Sequence, residues 1–425
     1  MENPNNITAI LVTIGDELLI GQVIDTNSAW MGKALSRLGI RVEQRIAIAD
    51  RREAITETLD RALQSADLVL LTGGLGPTAD DITKPTLAEY FGGTLHTDER
   101  VLAHVTAFFE NRNRPMLARN ARQAEVPQNC EVLFNETGTA PGMWFEKEGR
   151  IVVSLPGVPF EMIHLMETQV LPRLQARFAL CPLLYQNLLV AGEGESFIAE
   201  QIADLEAALP LYIRLAYLPG IGFLRLRLTC NEGSRNNIEA EMEDWSRKIA
   251  ARLEKYLVAT DDQPMPQILA ERLGENGWRL GLAESCTGGY MAHLLTQTPG
   301  ASAYLQGSLV CYQPSAKENL LGVSSETITA HGIVSEAVAA EMARGAARAL
   351  NADIGFGITG WLEKQGDAHA PGGTVCMAVQ LGERLESKTF RFASDRLRNK
   401  ELATQNAFLM ILRFLKKHPA GTEKK

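Results

Sequence analysis

The stretch Leu71 to Lys84, LTGGLGPTADDITK, sets an apolar strand end before Gly73, Gly74 and Gly76; the adjacent carboxylates Asp80 and Asp81 follow, then Thr83 and Lys84. Glycine backbone amides approach a phosphate closely and paired carboxylates hold a divalent cation, so this order points to a phosphorylated ligand with a metal ion beside it. A Gly-rich turn from strand to helix lies at the carboxyl edge of a sheet, where the helix amides add about half a positive charge. The pattern is neither GxGxxG nor GxxxxGKS/T, so it specifies neither a dinucleotide fold nor a nucleotide-triphosphatase loop. A tight turn capped by aspartate is the competing reading.

Other segments add to the same edge. TIGDELLIGQVIDTN places Asp16, Glu17, Asp25 and Asn27 after an earlier strand, and two acidic loops on one edge favour a metal-phosphate site. Asp25 and Asn27 suit helix capping equally well. SLPGVPFEM (Ser154 to Met162) offers Gly157 and Glu161 to complete the pocket, or a plain Gly-Pro turn. NETGTAPG brings Asn135, Thr137, Gly138 and Thr139 as small polar groups for a ribose or phosphate, with an ordinary loop as the alternative. Far downstream, AESCTGG puts Ser285, Cys286 and Thr287 where a strand turns into a helix, so that amides and hydroxyls could bind a phosphate or an oxyanion. N-capping by Ser285 or Thr287 is the blander use. Cys286 lacks a histidine in a persuasive arrangement and reads as a packing thiol.

Alternating strand and helix patterns position these groups. Ile7 to Thr13 is a strand; a helical face follows from Trp30, capped by Asn27 or Ser28. Ile40 to Ala49 is the next strand, and Asp50 with Glu53 forms a capping box for a helix carrying Ile55, Leu59 and Leu63. With the strand Asp67 to Leu71 this makes βαβαβ, the signal for a largely parallel sheet. Residues 1–172 form a first domain. Residues 173–262 carry a β-α-β-β-α order, a small α+β domain whose Leu224, Leu226 and Leu228 alternate with Arg225 and Arg227 on a half-buried strand. Past the polar, proline-containing TDDQPMP (Thr260 to Pro266), residues 263–425 form a third, α/β unit.

The chain has 425 residues, 22% of them charged, with a formal net charge of -9. Such a balance opposes broad nucleic-acid binding, which rests on excess lysine and arginine. No leader pattern and no apolar run of membrane-spanning length occurs, and the six cysteines have no zinc spacing, so a cytoplasmic protein with no membrane or nucleic-acid partner is expected.

GGLGPTADD, TIGDELLIGQVIDTN and LPGVPFEM together resemble the molybdopterin-binding-type domain of the competence/damage-inducible CinA family, in that family's order. The last third resembles the family's nicotinamide mononucleotide deamidase module through AESCTGG and the following Gly-Ala-Ser, Tyr and Lys. The resemblance implies a three-layer α/β first domain, a connecting middle domain that supports dimerisation, and a deamidase-like α/β third domain. It implies two activities on small-molecule nucleotides: metal-dependent cleavage of ADP-ribose to AMP and ribose 5-phosphate, and deamidation of nicotinamide mononucleotide to nicotinate mononucleotide and ammonia. The expected cofactor is a divalent ion (magnesium, manganese or cobalt), with potassium a further candidate, and no organic cofactor. Asp81 and Asp80 would hold the metal, and Lys84 would stand near the leaving phosphate. In the third domain the resemblance makes Ser302 of PGASAYLQG the nucleophile and Lys317 its base, with Tyr312 orienting the pair, Thr359 and Gly360 lining the nicotinamide pocket, and a phosphate-binding arginine replaced by Lys400. The chain departs from the family at Gln313 and Pro314, at Trp361 to Gly373 and at Lys400. Two readings compete: pterin or molybdopterin binding without hydrolysis, and a scaffold in DNA uptake.

Overall fold

The computed structural model describes residues 7–78, 81–178, 180, 184–230 and 237–419. They fall into two compact units, one of residues up to Leu184 and one of Tyr185–Cys230 with the residues from Asn237 onward.

The first unit is built on a sheet of β1 (Thr8–Ile14), β2 (Arg41–Ile48) and β3 (Leu68–Thr72); the short pair β4 (Leu95–Thr97) and β5 (Glu125–Pro127) stands apart; β6 (Glu131–Leu133), β7 (Gly142–Lys147) and β8 (Arg150–Leu155) complete the sheet in the order β2-β1-β3-β8-β7-β6. The strands β2, β1, β3 and β8 run parallel, and β7 and β6 add antiparallel. Side chains alternate across a strand. Thus Ala9, Leu11, Leu68, Leu70, Ile151 and Val153 pack with Met31 and Leu35 of helix Thr26–Arg37 and Met162 and Leu165 of helix Pro159–Leu165 on one face. Ile10, Val12, Val69, Leu71 and Val152 pack with Ile55, Leu59 and Leu87 on the other. The result is three layers. Helix Thr26–Arg37 is capped by Asp25, which accepts from the Ser28 amide at 2.9 Å, in place of Asn27 or Ser28. The capping box expected at Asp50 and Glu53 does not form: the helix starts at Arg52, with Arg51 at the cap position and no side-chain cap bond.

The second unit begins with β9 (Leu184–Val190), helix Glu195–Ala207, β10 (Ile213–Pro219), β11 (Leu224–Cys230), helix Ile238–Arg252 and β12 (Leu257–Ala259), in the sheet order β10-β11-β9-β12. Leu224, Leu226 and Leu228 are buried while Arg225 and Arg227 are half-buried, as the alternation requires. This module shares a core with the rest of its unit: Leu189 and Ala191 pack in one cluster with Leu269, Phe408 and Phe414, and Arg413 Nη2 donates to the Ala191 carbonyl at 3.0 Å.

The remainder carries β13 (Leu280–Glu284), β14 (Leu305–Val310), β15 (Ile354–Gly360), β16 (Thr374–Leu381) and β17 (Arg384–Arg391), ordered β14-β13-β15-β16-β17. The first three are parallel and the last two antiparallel. Helix Glu336–Leu350 lies against this sheet so closely that a Cβ on Gly355 would stand 2.0 Å from the Ala343 carbonyl oxygen. Among the described residues no helix is long and apolar enough to cross a membrane.

Candidate functional sites

The chain passes from β1 to β2 on one side and then from β2 across β1 to β3 on the other, so the carboxyl ends of β1 and β3 flank the position where an open α/β sheet opens a crevice. A cleft of about 130 Å³ lies there, lined by Thr13, Ile14, Glu17, Asp25, Asn27, Thr72, Gly73, Gly157 and neighbours. Asn27 ties the edge together: its Nδ2 donates to Thr72 Oγ1 at 3.1 Å and to the Gly157 carbonyl at 2.8 Å. Its Oδ1 is buried and has no partner among the described residues. Asp25 accepts from Ser28 and from Thr13 Oγ1 at 2.7 Å; burial pushes its carboxyl up, and the bonds from Ser28 and Thr13 with the charge of Arg45 outweigh this and hold it below its ordinary value. Gly73 is required by its backbone, at φ 114° with space for no Cβ beneath the Ile14 carbonyl.

The other expected members of this site lie elsewhere. Asp16 is exposed in the first turn of the short helix Asp16–Leu19 and does not line the cleft, whereas its neighbour Glu17 does. Asp81 turns back on its own loop, accepting from the Gly76 amide at 2.8 Å and from the amide and hydroxyl of Thr78 at 2.9 and 2.5 Å. A Cβ on Gly76 would collide with that carboxylate and one on Gly74 with Thr83 Oγ1, so both glycines serve loop closure. Lys84 is a correction: it is buried, and its Nζ donates to the Gln123 carbonyl at 2.8 Å instead of reaching toward the cleft. Burial lowers its pKa to about 8, with the charges of Glu125 and Asp81 opposing. Glu161 is a second correction. It receives a 2.6 Å bond from Asn135 Nδ2 and packs over Gly138, and burial raises its pKa against the effect of Asn135. Asp80 lies outside the described residues. Among the described residues no group of three or more His, Cys, Asp or Glu could hold a metal, and the oxygens of Asp81 are committed to the loop. These residues do not by themselves make the expected metal site.

In the second unit the corresponding crevice, at the carboxyl ends of β13 and β15, is a pocket of about 370 Å³. Ser285 and Cys286 enter it directly after β13, with Lys317, Tyr312, Thr359, Gly360, Trp361, Glu363 and Arg396 around them. The turn is locked from below by Glu284, fully buried, which accepts from the amides of Gly289, Met291 and Ala292 at 3.0 to 3.1 Å and from Ser308 Oγ at 2.9 Å. Lys317 comes from a short helix in which Gln313 is the extended cap and Pro314 takes the first turn, where its missing N–H costs nothing. That departure from the family pattern is therefore accommodated. Lys317 then opens a π-helical turn, Lys317–Leu321, a distortion common at functional sites.

The Lys317 side chain is fully buried, with Nζ 3.0 Å from Ser285 Oγ, 2.8 Å from the Cys311 carbonyl and 3.4 Å from the Tyr312 carbonyl. Burial lowers its pKa, with the Cys311 and Cys286 thiols opposing. A neutral amine has two N–H bonds and one lone pair. In that form the two carbonyls would take the hydrogens and the lone pair would face Ser285 Oγ. Cys286, one residue on, is driven up to about 12 by burial and stays a thiol at neutral pH, as its packing role requires.

The expected pairing of Ser302 with Lys317 does not form, and Ser285 takes that place. Ser302 is exposed in the tight turn Ala301–Ala303 that precedes β14, whereas Lys317 follows the far end of that strand. Six residues of strand, at about 3.3 Å each, put some 20 Å between the two edges. Tyr312 meets Lys317 through its carbonyl, while its hydroxyl accepts from Arg396 Nη2 at 2.9 Å. Thr359 and Gly360 do line the pocket, Thr359 Oγ1 being fixed on the Ile333 carbonyl at 3.0 Å. Thr287 is buried behind the turn with no partner for Oγ1 among the described residues. Lys400 stands outside the pocket lining, its Nζ 5.3 Å from the Tyr290 ring centre, whereas Arg396 lines the pocket with Lys317. Sequence reasoning missed Glu284 and Arg396, although a carboxylate at the end of an apolar strand beside a Gly-rich turn is a signal for the first.

Both units thus present a crevice at the carboxyl edge of a parallel sheet, the arrangement of α/β ligand-binding proteins. Three family models match the chain in sequence: a probable molybdopterin binding domain over residues 10–176, the damage-inducible protein CinA KH domain over 186–259, and the CinA C-terminal domain over 262–415. A CinA-like protein of Flavobacterium psychrophilum is 40% identical over 413 residues, 96% of this chain and 99% of that protein. A putative competence-damage inducible protein of Caldicellulosiruptor bescii is 37% identical over 411 residues, 95% of this chain and 98% of its own length. Among solved structures, a CinA protein of unknown function from Thermoplasma acidophilum is 34% identical and covers 40% of this chain and 98% of its own, with a TM-score of 0.37. The chain belongs to the CinA family.

Proposed function

We propose that this CinA family member is a pyridine-nucleotide-recycling hydrolase whose second unit cleaves the carboxamide of nicotinamide mononucleotide with Ser285 as nucleophile and Lys317 as base. The observation that carries the reading is the buried Lys317 Nζ at 3.0 Å from Ser285 Oγ in the wall of a pocket large enough for a nucleotide. Desolvation of the amine is what allows a lysine to act as a base near neutral pH. Lys317 takes the Ser285 proton as Oγ bonds to the carboxamide carbon, and returns it to the nitrogen as the C–N bond breaks and ammonia leaves. Water then adds to the acyl-enzyme, Lys317 taking its proton, and the Oγ–carbon bond breaks to free nicotinate mononucleotide and return the proton to Ser285. Ammonia release by the purified chain tests this. The wild type should turn over, and Lys317→Met, close in length and still apolar, should lose about 10³-fold or more. Equal rates in the two would contradict the reading.

A second reading concerns the first unit: cleavage of the ADP-ribose diphosphate at the Asn27 cleft, with a divalent ion. The buried Asn27 Oδ1, without a partner among the described residues and beside Gly73 and Gly157, supports a ligand there, since such an acceptor calls for a donor such as a ribose hydroxyl. Pterin or molybdopterin binding without hydrolysis would use the same cleft. Turnover of ADP-ribose with and without added metal separates the two.

A further inference from the structure

The charged side chains that line the Ser285 pocket are Lys317, Glu363 and Arg396. Arg396 is held from two sides: Nη1 pairs with Glu363 Oε1 at 2.7 Å and Nη2 donates to the Tyr312 hydroxyl at 2.9 Å. Glu363 and Arg396 are both about half exposed, with relative side-chain exposures of 60% and 48%. Glu363 thus offsets the charge of the one guanidinium in the lining before a phosphate dianion arrives. The segment that supplies Glu363 leaves β15 at Gly360, and Asn399 Nδ2 anchors it by donating to the Leu362 carbonyl at 2.8 Å. The carboxylate is therefore brought to Arg396 by an ordered part of the pocket wall.

We propose that Glu363 sets the discrimination of this pocket between phosphorylated and unphosphorylated amides, because it occupies the guanidinium that a substrate phosphate must share or displace. Arg396 is the bidentate phosphate ligand of choice in this wall, and a carboxylate on the same fork both competes for its N–H groups and repels the incoming dianion. Discrimination by such a repulsive element is a difference of affinities, set against the attraction that Arg396 supplies. The inference rests on the amide-hydrolase reading for its substrate class and not for its contacts.

The test is calorimetric binding to the full chain carrying Ser285→Ala, which holds substrate without turnover. The probes are nicotinamide mononucleotide, nicotinamide riboside and inorganic phosphate. Glu363→Gln should tighten the mononucleotide and phosphate about two- to fivefold, the range of a partly exposed charge pair, and leave the riboside unchanged. The gain should vanish when Arg396→Met is added. Equal changes for mononucleotide and riboside, no change for either phosphate-bearing probe, or a gain that survives Arg396→Met would each overturn the proposal. Phosphate alone keeps the arms distinct: a Glu363-dependent phosphate response with no ammonia release upholds the contact and sinks the amidase reading.

Discussion

Gly73–Lys84 and Glu284–Lys317 both begin with a Gly-rich turn at the carboxyl edge of a parallel strand, and both end on a buried lysine. In the first, the carboxylate of Asp81 binds its own loop and the ammonium of Lys84 binds Gln123, so the charged atoms hold the polypeptide. In the second, Glu284 takes over the turn from beneath and Lys317 is left with an amine aimed at a hydroxyl in an open pocket. Among the described residues, the turn closer to its family pattern has Asp81 and Lys84 bound within the polypeptide, while the one whose surroundings have drifted keeps a serine and a lysine side by side in a pocket. What separates a folded turn from a working one is which polar atoms remain after the backbone has been satisfied.

The comparison breaks if Asp81 proves to act on a ligand. Asp81→Ala removes both loop acceptors, whereas Asp81→Asn keeps an oxygen for Gly76 or Thr78. Asparagine should therefore hold ADP-ribose cleavage within about fivefold of the wild type while alanine loses more. A carboxylate that touches ligand or metal would instead cost about 10²-fold or more in both variants, as catalytic carboxylates do. Steady-state assays of the two variants, with thermal melting as a check on the loop, decide between these outcomes.

A smaller effect sharpens the other side. Protonated Lys317 has no lone pair for Ser285, so kcat/KM for ammonia release should rise with pH, about tenfold per unit below the lysine pKa. Burial lowers that pKa, so the limb should level off below the ordinary lysine value of about 10.4. A midpoint at or above that value in a pH–rate profile would mean that the amine is not desolvated in the working enzyme.

Much of the fold is legible because it rests on local periodicity. The unbroken apolar run Ala9, Ile10, Leu11 and Val12 yields a strand buried on both faces, and the four-residue steps of Ile55 and Leu59 yield the helix that covers one of them. The Asn27 and Gly157 loops fall on one edge for the same reason, since parallel strands put all their carboxyl ends together. The Ser285 pocket is legible as a turn but not as to its serine–lysine pair. Ser302 and Lys317 are close in sequence, but a strand between them carries the chain across the sheet, and 32 residues separate Ser285 from the lysine that reaches it. Side-chain direction escapes altogether: nothing in the spacing of Asp81 and Lys84 tells that both turn inward, because their partners at Thr78 and Gln123 are set by loop closure and tertiary packing.

The most direct test is to set Ser285→Ala beside Ser302→Ala in the full chain and measure ammonia released from nicotinamide mononucleotide. Ser285→Ala should abolish release, and Ser302→Ala, altering an exposed turn at the opposite edge of the sheet, should keep the wild-type rate. Loss of activity in Ser302→Ala with retention in Ser285→Ala would contradict the assignment of the buried serine–lysine pair.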